Sequence, residues 1–294
     1  MKGLRFGQLR SFHTALRALE ANKKSEGSRL LPVKMLSHPL GVFQKPESGD
    51  PHYFVDERTW KEWGRDVRDK EKHMKKRKEL MEEFGESRFR DMKELRQHNG
   101  KQWLSPAAFF RAEKSRYMPN FLGRTLASPQ IVSTTDTLEG NVSIVRMFTS
   151  VFGEEHARSY VTNADRYLDK FDLVQNRDFQ IVNFNIPENK IKSWMLSWYV
   201  GSMAKKCPPD ERKRYFIIEH LGKLMRGIKN AIGHTNVYTG YVYVVDQKCR
   251  IRWAASGLAT ETDRETLWKT VRALSKNGPD GLKPKVEEDD DDIE

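Results

Sequence analysis

From Asn141 onward the chain alternates short apolar runs with amphipathic segments, and this alternation restricts the folds open to it more than any other feature. Val142 to Phe148 reads as a strand buried on both faces, since Ser143 and Arg146 alone interrupt an apolar run. A helix follows over Glu154 to Lys170, with Glu154 and Glu155 in the first turn, where the helix dipole favours negative charge. Phe179 to Phe184 is the second strand. Pro187 opens a helix whose apolar face carries Ile191, Trp194, Met195, Trp198, Tyr199 and Met203. Tyr215 to Ile218 is a third strand and Leu221 to Asn230 a short helix. Tyr241 to Val245 and Ile251 to Ala254 flank the hairpin turn Asp246-Gln247-Lys248. The final helix starts at Thr260 or Thr262 and ends by Asn277-Gly278.

Strands separated by helical crossovers call for parallel pairs in a central sheet, and the closing hairpin adds an antiparallel edge. The expected fold is therefore an α/β, thioredoxin-like (peroxiredoxin-like) domain over 106–277 with an N-terminal helical extension. In redox proteins of that fold the attacking cysteine sits after the first core strand, at a helix N-terminus that stabilises the thiolate. Here the loop reads Thr149-Ser150-Val151-Phe152-Gly153, with Phe152 in the place of the cysteine. No proline precedes Tyr241, where redox members carry one. Cys207 follows Lys205 and Lys206, which could lower its pKa, but it is read in preference as a lone surface thiol. Cys249 lies in the hairpin and reads as structural, and the two cysteines form neither a CxxC nor a Cys/His cluster. Phosphate-loop, dinucleotide, metalloprotease and nucleophile-elbow motifs are all missing, so no catalytic, cofactor or metal constellation is expected.

Upstream of this alternation the chain has a different character. Lys2, Arg5, Arg10 and Arg17 alternate with Leu4, Phe6, Leu9 and Phe12, and no acid precedes Glu20, which is the composition of a mitochondrial presequence. Residues 1–31 are read as presequence and linker, with cleavage after Phe12, and 32–105 as a basic helical extension. Gly, Pro and Ser up to residue 56 suggest a linker. Trp60, Val67, Met74 and Met81 then recur every seven residues, giving a narrow apolar seam that Lys70 and Arg77 interrupt. Ser87 caps a second helix that runs to His98 and stops at Asn99-Gly100.

The net charge of +11 hides a sharper division, because Glu287 to Glu294 hold seven acids in eight residues. Residues 278–294 are expected to be a disordered acidic tail, and the body between the termini is correspondingly more basic. Such a body attracts nucleic acid, anionic lipid or an acidic partner, and Lys75 to Lys78 is its sharpest cluster.

Several stretches together resemble one family: Phe110-Arg111-Ala112 with Tyr117 and Pro119-Asn120; Asn185-Ile186-Pro187-Glu188-Asn189; Gly240-Tyr241-Val242-Tyr243; and, most strongly, Cys249 to Gly257 (Cys-Arg-Ile-Arg-Trp-Ala-Ala-Ser-Gly). They are similar to the mitochondrial ATP synthase assembly factors of the fungal ATPase complex subunit 10 type, over roughly residues 70–275. The resemblance implies a non-enzymatic chaperone held peripherally on the matrix side of the inner mitochondrial membrane. It implies newly made Fo subunit a (subunit 6) as partner, with no cofactor and no nucleic acid. The alternative is a mitochondrial RNA- or ribosome-binding protein, favoured by the basic body, and a third class is a thiol peroxidase acting through Cys207.

A client rich in membrane helices needs an aromatic surface on its chaperone. Phe109, Phe110, Arg111, Tyr117, Phe121, Trp194 and Trp198 are the expected client-binding residues, against the competing account that each packs in the core.

Overall fold

The computed structural model describes residues 33–49, 91–98, 100–174, 178–187, 200–205, 207–218 and 225–277, without the side chains of 225–227, 276 and 277. The presequence, the seamed helix with Lys75 to Lys78, Trp194, Trp198 and the acidic tail lie outside these residues.

The strands are β1 (Arg116–Tyr117), β2 (Leu122–Thr125), β3 (Ile131–Ser133), β4 (Val142–Phe148), β5 (Phe179–Asn185), β6 (Tyr215–Ile218), β7 (Tyr241–Val245) and β8 (Arg250–Ser256). The helices whose bounds fall within these residues are α1 (Thr134–Leu138), α2 (Val151–Arg158), α3 (Ala164–Lys170), α4 (Pro209–Arg212), α5 (Met225–Ala231) and α6 (Glu261–Asn277). Among the described residues these eight strands join one sheet in the order β1-β8-β7-β4-β5-β6-β2-β3. β5 lies parallel to β4 and β6 parallel to β5. On the other side β7 is antiparallel to β4 and β8 antiparallel to β7. Parallel neighbours on one side of β4 and an antiparallel hairpin on the other make the domain thioredoxin-like.

Strict alternation sorts the central strands onto two apolar layers. Val145, Met147, Tyr241 and Tyr243 face one layer; Ile144, Phe148, Val242 and Val244 face the other. β4 and β7 are buried on both faces, which is why they read as nearly continuous apolar runs. α6 covers the second layer with Leu267, Trp268, Val271 and Leu274, a helical spacing. Its start is fixed by a reciprocal cap: Asp263 N–H donates to Thr260 Oγ1 at 3.2 Å, and Thr260 N–H to Asp263 Oδ2 at 2.8 Å.

A bulge in β8 decides how the hairpin closes. Val244 pairs with Trp253 and Val245 with Ile251, so Arg252 is the extra residue. Its Nη1 lies 3.1 Å from the buried Asp246 carboxylate. That carboxylate also accepts the backbone N–H groups of Lys248 and Arg250 and the Arg250 Nε at 2.8 Å. Asp246 thereby shapes the turn that Cys249 completes in the left-handed region, at φ 61°.

Two expectations need correction. The helix over Glu154 to Lys170 is two helices, because Asn163 takes a left-handed backbone (φ 57°) between α2 and α3. The intervening turn turns Tyr160 inward, where its hydroxyl donates to Ser256 O at 3.1 Å. The second correction concerns the extension over 32–105. Residues 33–49 are not helical, and Leu36, Leu40 and Trp103 belong to the first core layer. Met35 bridges to Leu104 and Val42 to Tyr117, so this segment is bound to the domain as closely as a strand.

Candidate functional site

In α/β sheets ligands gather at the carboxyl ends of the parallel strands, and the loop after β4 occupies that place here. Ser150 caps α2, its Oγ accepting the Gly153 N–H at 3.1 Å. The two residues between them, Val151 and Phe152, are 80% and 60% exposed. The position that would hold a nucleophilic thiol therefore presents an aromatic ring to solvent.

Backbone closes the crevice beside this ring. A Cβ at Gly240 would stand 1.9 Å from the Gly153 carbonyl oxygen, so only glycine admits so near an approach of α2 to β7. Gly257 N–H donates to Gly240 O at 2.9 Å, and a Cβ at Gly257 would lie 2.4 Å from Gly100 O. Under the loop, Thr149 Oγ1 lies 3.4 Å from His234 Nε2. The His234 ring rests on Tyr241, centroids 4.6 Å apart, and Trp103 stacks on the same tyrosine at 5.4 Å. Burial pushes the His234 pKa down to about 3, so the imidazole is neutral. A neutral, enclosed imidazole beside a threonine hydroxyl packs the loop and is poorly matched to acid/base work near neutral pH.

The thiols are placed no better for chemistry. Cys249 sits at the β7–β8 turn, at the opposite end of β7 from the loop, with its pKa pushed up to about 12 by burial. Burial also raises the Cys207 pKa, helped by Glu211 and opposed by Arg212 and Arg146. The lowering that the neighbouring lysines could have brought to Cys207 is replaced by the reverse shift. Among the described residues no His/Cys/Asp/Glu group has metal-ligand geometry.

The candidate client-binding residues lie along a strap on the β8 edge. Phe110 N–H donates to Arg252 O at 2.7 Å and Phe110 O accepts Arg252 Nε at 2.9 Å. Phe109 is half-buried with the Arg252 guanidinium 5.4 Å from its ring, and Arg111 is exposed. Tyr117 is half-buried in β1, exchanging two backbone hydrogen bonds with Val42. Phe121 is 1% exposed and packs on Phe184 at 5.9 Å, so it belongs to the core and not to a surface. The structure thus brings Phe109, Phe110, Arg111 and Tyr117 onto one strap and separates Phe121 from them. Sequence reasoning saw in Phe152 a missing cysteine and overlooked the exposed pair. The signal was two consecutive apolar residues directly after a capping serine, in the first turn of a helix whose buried positions are Gly153 and Ala157.

The family model described as ATP10 protein matches residues 17–274. The chain belongs to the ATP10 family. Family relatives named mitochondrial ATPase complex subunit ATP10 include one from Candida glabrata, 32% identical over 83% of this chain and 86% of the relative. The relative from Eremothecium gossypii is 34% identical over the same shares. That from Saccharomyces cerevisiae is 28% identical over 82% of this chain and 87% of its own. Among solved structures, a putative thiol:disulfide interchange protein DsbE from Chlorobium tepidum is 13% identical with a TM-score of 0.35, covering 54% of this chain and 95% of that one. A yeast mitochondrial 1-Cys peroxiredoxin is 14% identical with a TM-score of 0.34, covering 58% and 80%. The resemblance found in Cys249 to Gly257 thus falls inside the ATP10 match, on β8 and its turn.

Proposed function

We propose that this chain is a non-catalytic assembly chaperone of the mitochondrial ATP synthase, which holds newly made Fo subunit a (subunit 6) and promotes its joining to the c-ring. The observation that carries the reading is ATP10 family membership across residues 17–274, with relatives named as mitochondrial ATPase complex subunits. A role in ATP synthase assembly and a mitochondrial location follow from those names; subunit a as the client and the matrix face of the inner membrane are the finer parts of the proposal.

Physical chemistry supports a binding role. The thiol position of the fold carries Phe152, the crevice beside it is filled by backbone, and both cysteines have raised pKa values. Among the described residues no helix is long and apolar enough to cross a membrane, so contact with the membrane is read as peripheral. The client surface is proposed to include Phe109, Phe110, Arg111 and Tyr117 on the strap, Trp194 and Trp198, and the exposed pair Val151 and Phe152. Such side chains concentrate interface energy when they meet an apolar partner.

The test is native electrophoresis of mitochondria lacking this chain. Accumulation of F1 with a c-ring but without subunit a is expected; fully assembled synthase in normal amount overturns the reading.

A further inference from the structure

Arg146 lies in the middle of β4, on the face otherwise built from Val142, Ile144 and Phe148. A cation in such a place is costly unless paired. Its Nε donates to Asn183 Oδ1 at 2.7 Å, on the neighbouring residue of β5. Among the described residues no carboxylate bonds its terminal nitrogens. Glu154 of α2 is taken by Arg158 at 2.9 Å, and Glu211 of α4 is exposed and acts at longer range. Burial lowers the guanidinium pKa and Arg158 adds to the shift, while Glu211 and Glu154 oppose it. Arg146 is itself half-buried, so its terminal nitrogens stay open to a ligand from solvent.

The polar row continues across the sheet. Asn183 is the Cα partner of Tyr215 on β6. The Tyr215 hydroxyl accepts Asn185 Nδ2 at 3.3 Å, and burial holds the phenol pKa well above its usual value, so it keeps its proton. Its ring lies 6.2 Å from Phe148, edge to face, which leans it toward β4. Asn183 Oδ1 and the Tyr215 oxygen are therefore engaged as acceptors within the row. What remains among the described residues is donors: the terminal Arg146 nitrogens, Asn183 Nδ2 and the Tyr215 O–H. Met203 and Cys207 pack on the same face and lower the local polarity, which strengthens any charge-assisted bond made there.

Donors in surplus around one cation fit an oxyanion. A planar carboxylate offers two oxygens to one edge, whereas donors from three adjacent strands match a tetrahedral group. We propose that Arg146, Asn183 and Tyr215 form a binding site for a phosphate group, either free or on a phospholipid headgroup.

Inorganic phosphate titrated into the full chain at constant ionic strength, with chloride as balance, tests the site by calorimetry and thermal unfolding. Saturable binding is expected, weakened about tenfold or more by Arg146→Met and about two- to tenfold by Tyr215→Phe. Arg146→Lys keeps the charge and loses the planar fork, so it too weakens binding. Should Arg146→Met fail to fold, Arg146→Lys and Tyr215→Phe carry the test. Flotation with phosphatidylcholine vesicles, with and without phosphatidylglycerol, separates the two sources. Binding of phosphate that depends on Arg146 and Tyr215 supports a free ligand; vesicle binding with that dependence, and none of free phosphate, supports a headgroup. Tyr215→Phe leaves net charge unchanged, so its effect cannot come from general attraction to anions. No saturable binding of either probe, or binding that Arg146→Lys and Tyr215→Phe leave intact, overturns the proposal.

Discussion

Lys101 Nζ lies 2.6 Å from Asp263 Oδ2, with side chains 11% and 7% exposed, and this ion pair fastens the strap to α6 across 162 residues of sequence. Asp263 also accepts from Ser105 Oγ and from the Thr260 N–H, so one carboxylate joins the strap and the helix cap. Lys101→Met leaves that carboxylate half-satisfied in a nearly enclosed place. The expected loss is about 2–3 kcal/mol, below the roughly 3–5 kcal/mol of a fully buried pair because Ser105 and Thr260 remain. Urea unfolding measures it, and a loss under about 0.5 kcal/mol is what an ordinary surface position would give.

The same carboxylate sets an acid limb. Burial raises its pKa, but the hydrogen bonds from Lys101, Ser105 and Thr260 outweigh this and leave it below the ordinary aspartate value. The stabilisation is therefore fully present above the unfolded pKa of about 3.9 and is lost as pH falls through the lower folded value. Unfolding free energy followed from pH 5 down to pH 2 is expected to fall less steeply in Lys101→Met than in the parent chain.

His234 gives a second, separate limb at higher pH. Its folded pKa of about 3 lies below the unfolded value of about 6.5, so in that window the unfolded chain binds the extra proton. Stability is fully present above pH 6.5 and declines as pH falls, approaching one proton's slope, about 1.4 kcal/mol per pH unit. His234→Phe is expected to remove this slope between pH 6 and pH 4. An unchanged slope in the variant would assign it to other groups.

Thiol labelling follows from burial. Native protein at pH 8 is expected to label slowly at Cys207 and at Cys249 only after unfolding, because both pKa values are raised. Rapid loss of both thiols under native conditions would contradict the placement of Cys249.

Val151→Ser combined with Phe152→Ser removes two apolar side chains that already face solvent. Stability is expected to change by no more than about 0.5 kcal/mol per site, while capture of the apolar client declines. Gly240→Ala, one crevice wall away, acts oppositely: its Cβ meets the Gly153 carbonyl, and the domain is expected to lose several kcal/mol or fail to fold. Circular dichroism of the two variants separates a surface from a packing contact.

Much of the fold was legible because β4, β5, β6 and β7 are apolar runs whose burial needs no distant information. Their boundaries in the sequence reading agree with the structure to within a residue. β1 was not legible: Arg116 and Tyr117 form a strand only because β8 offers an edge more than 130 residues later. The break at Asn163 escaped because apolar spacing continues through it from Tyr160 to Tyr167 and Leu168, and only the left-handed backbone interrupts the helix. The core role of Leu36 and Leu40 was hidden by flanking Pro, Gly and Ser, whose composition reports on local chain stiffness and not on what the segment packs against. At the site, the lost cysteine was visible in Phe152, whereas the Gly153–Gly240 contact needs coordinates. Arg146 was visible as a break in the apolar run of β4, but one charge inside a buried strand looks the same in sequence whether it is paired or waiting for a ligand.

The central claim is tested most directly by placing a photocrosslinker at Phe152 and at Phe110 and activating it in mitochondria during pulse labelling of mitochondrial translation. The account predicts a labelled adduct with newly made subunit a that disappears during the chase as the synthase assembles. Adducts with ribosomal RNA and none with subunit a, at either position, would contradict it.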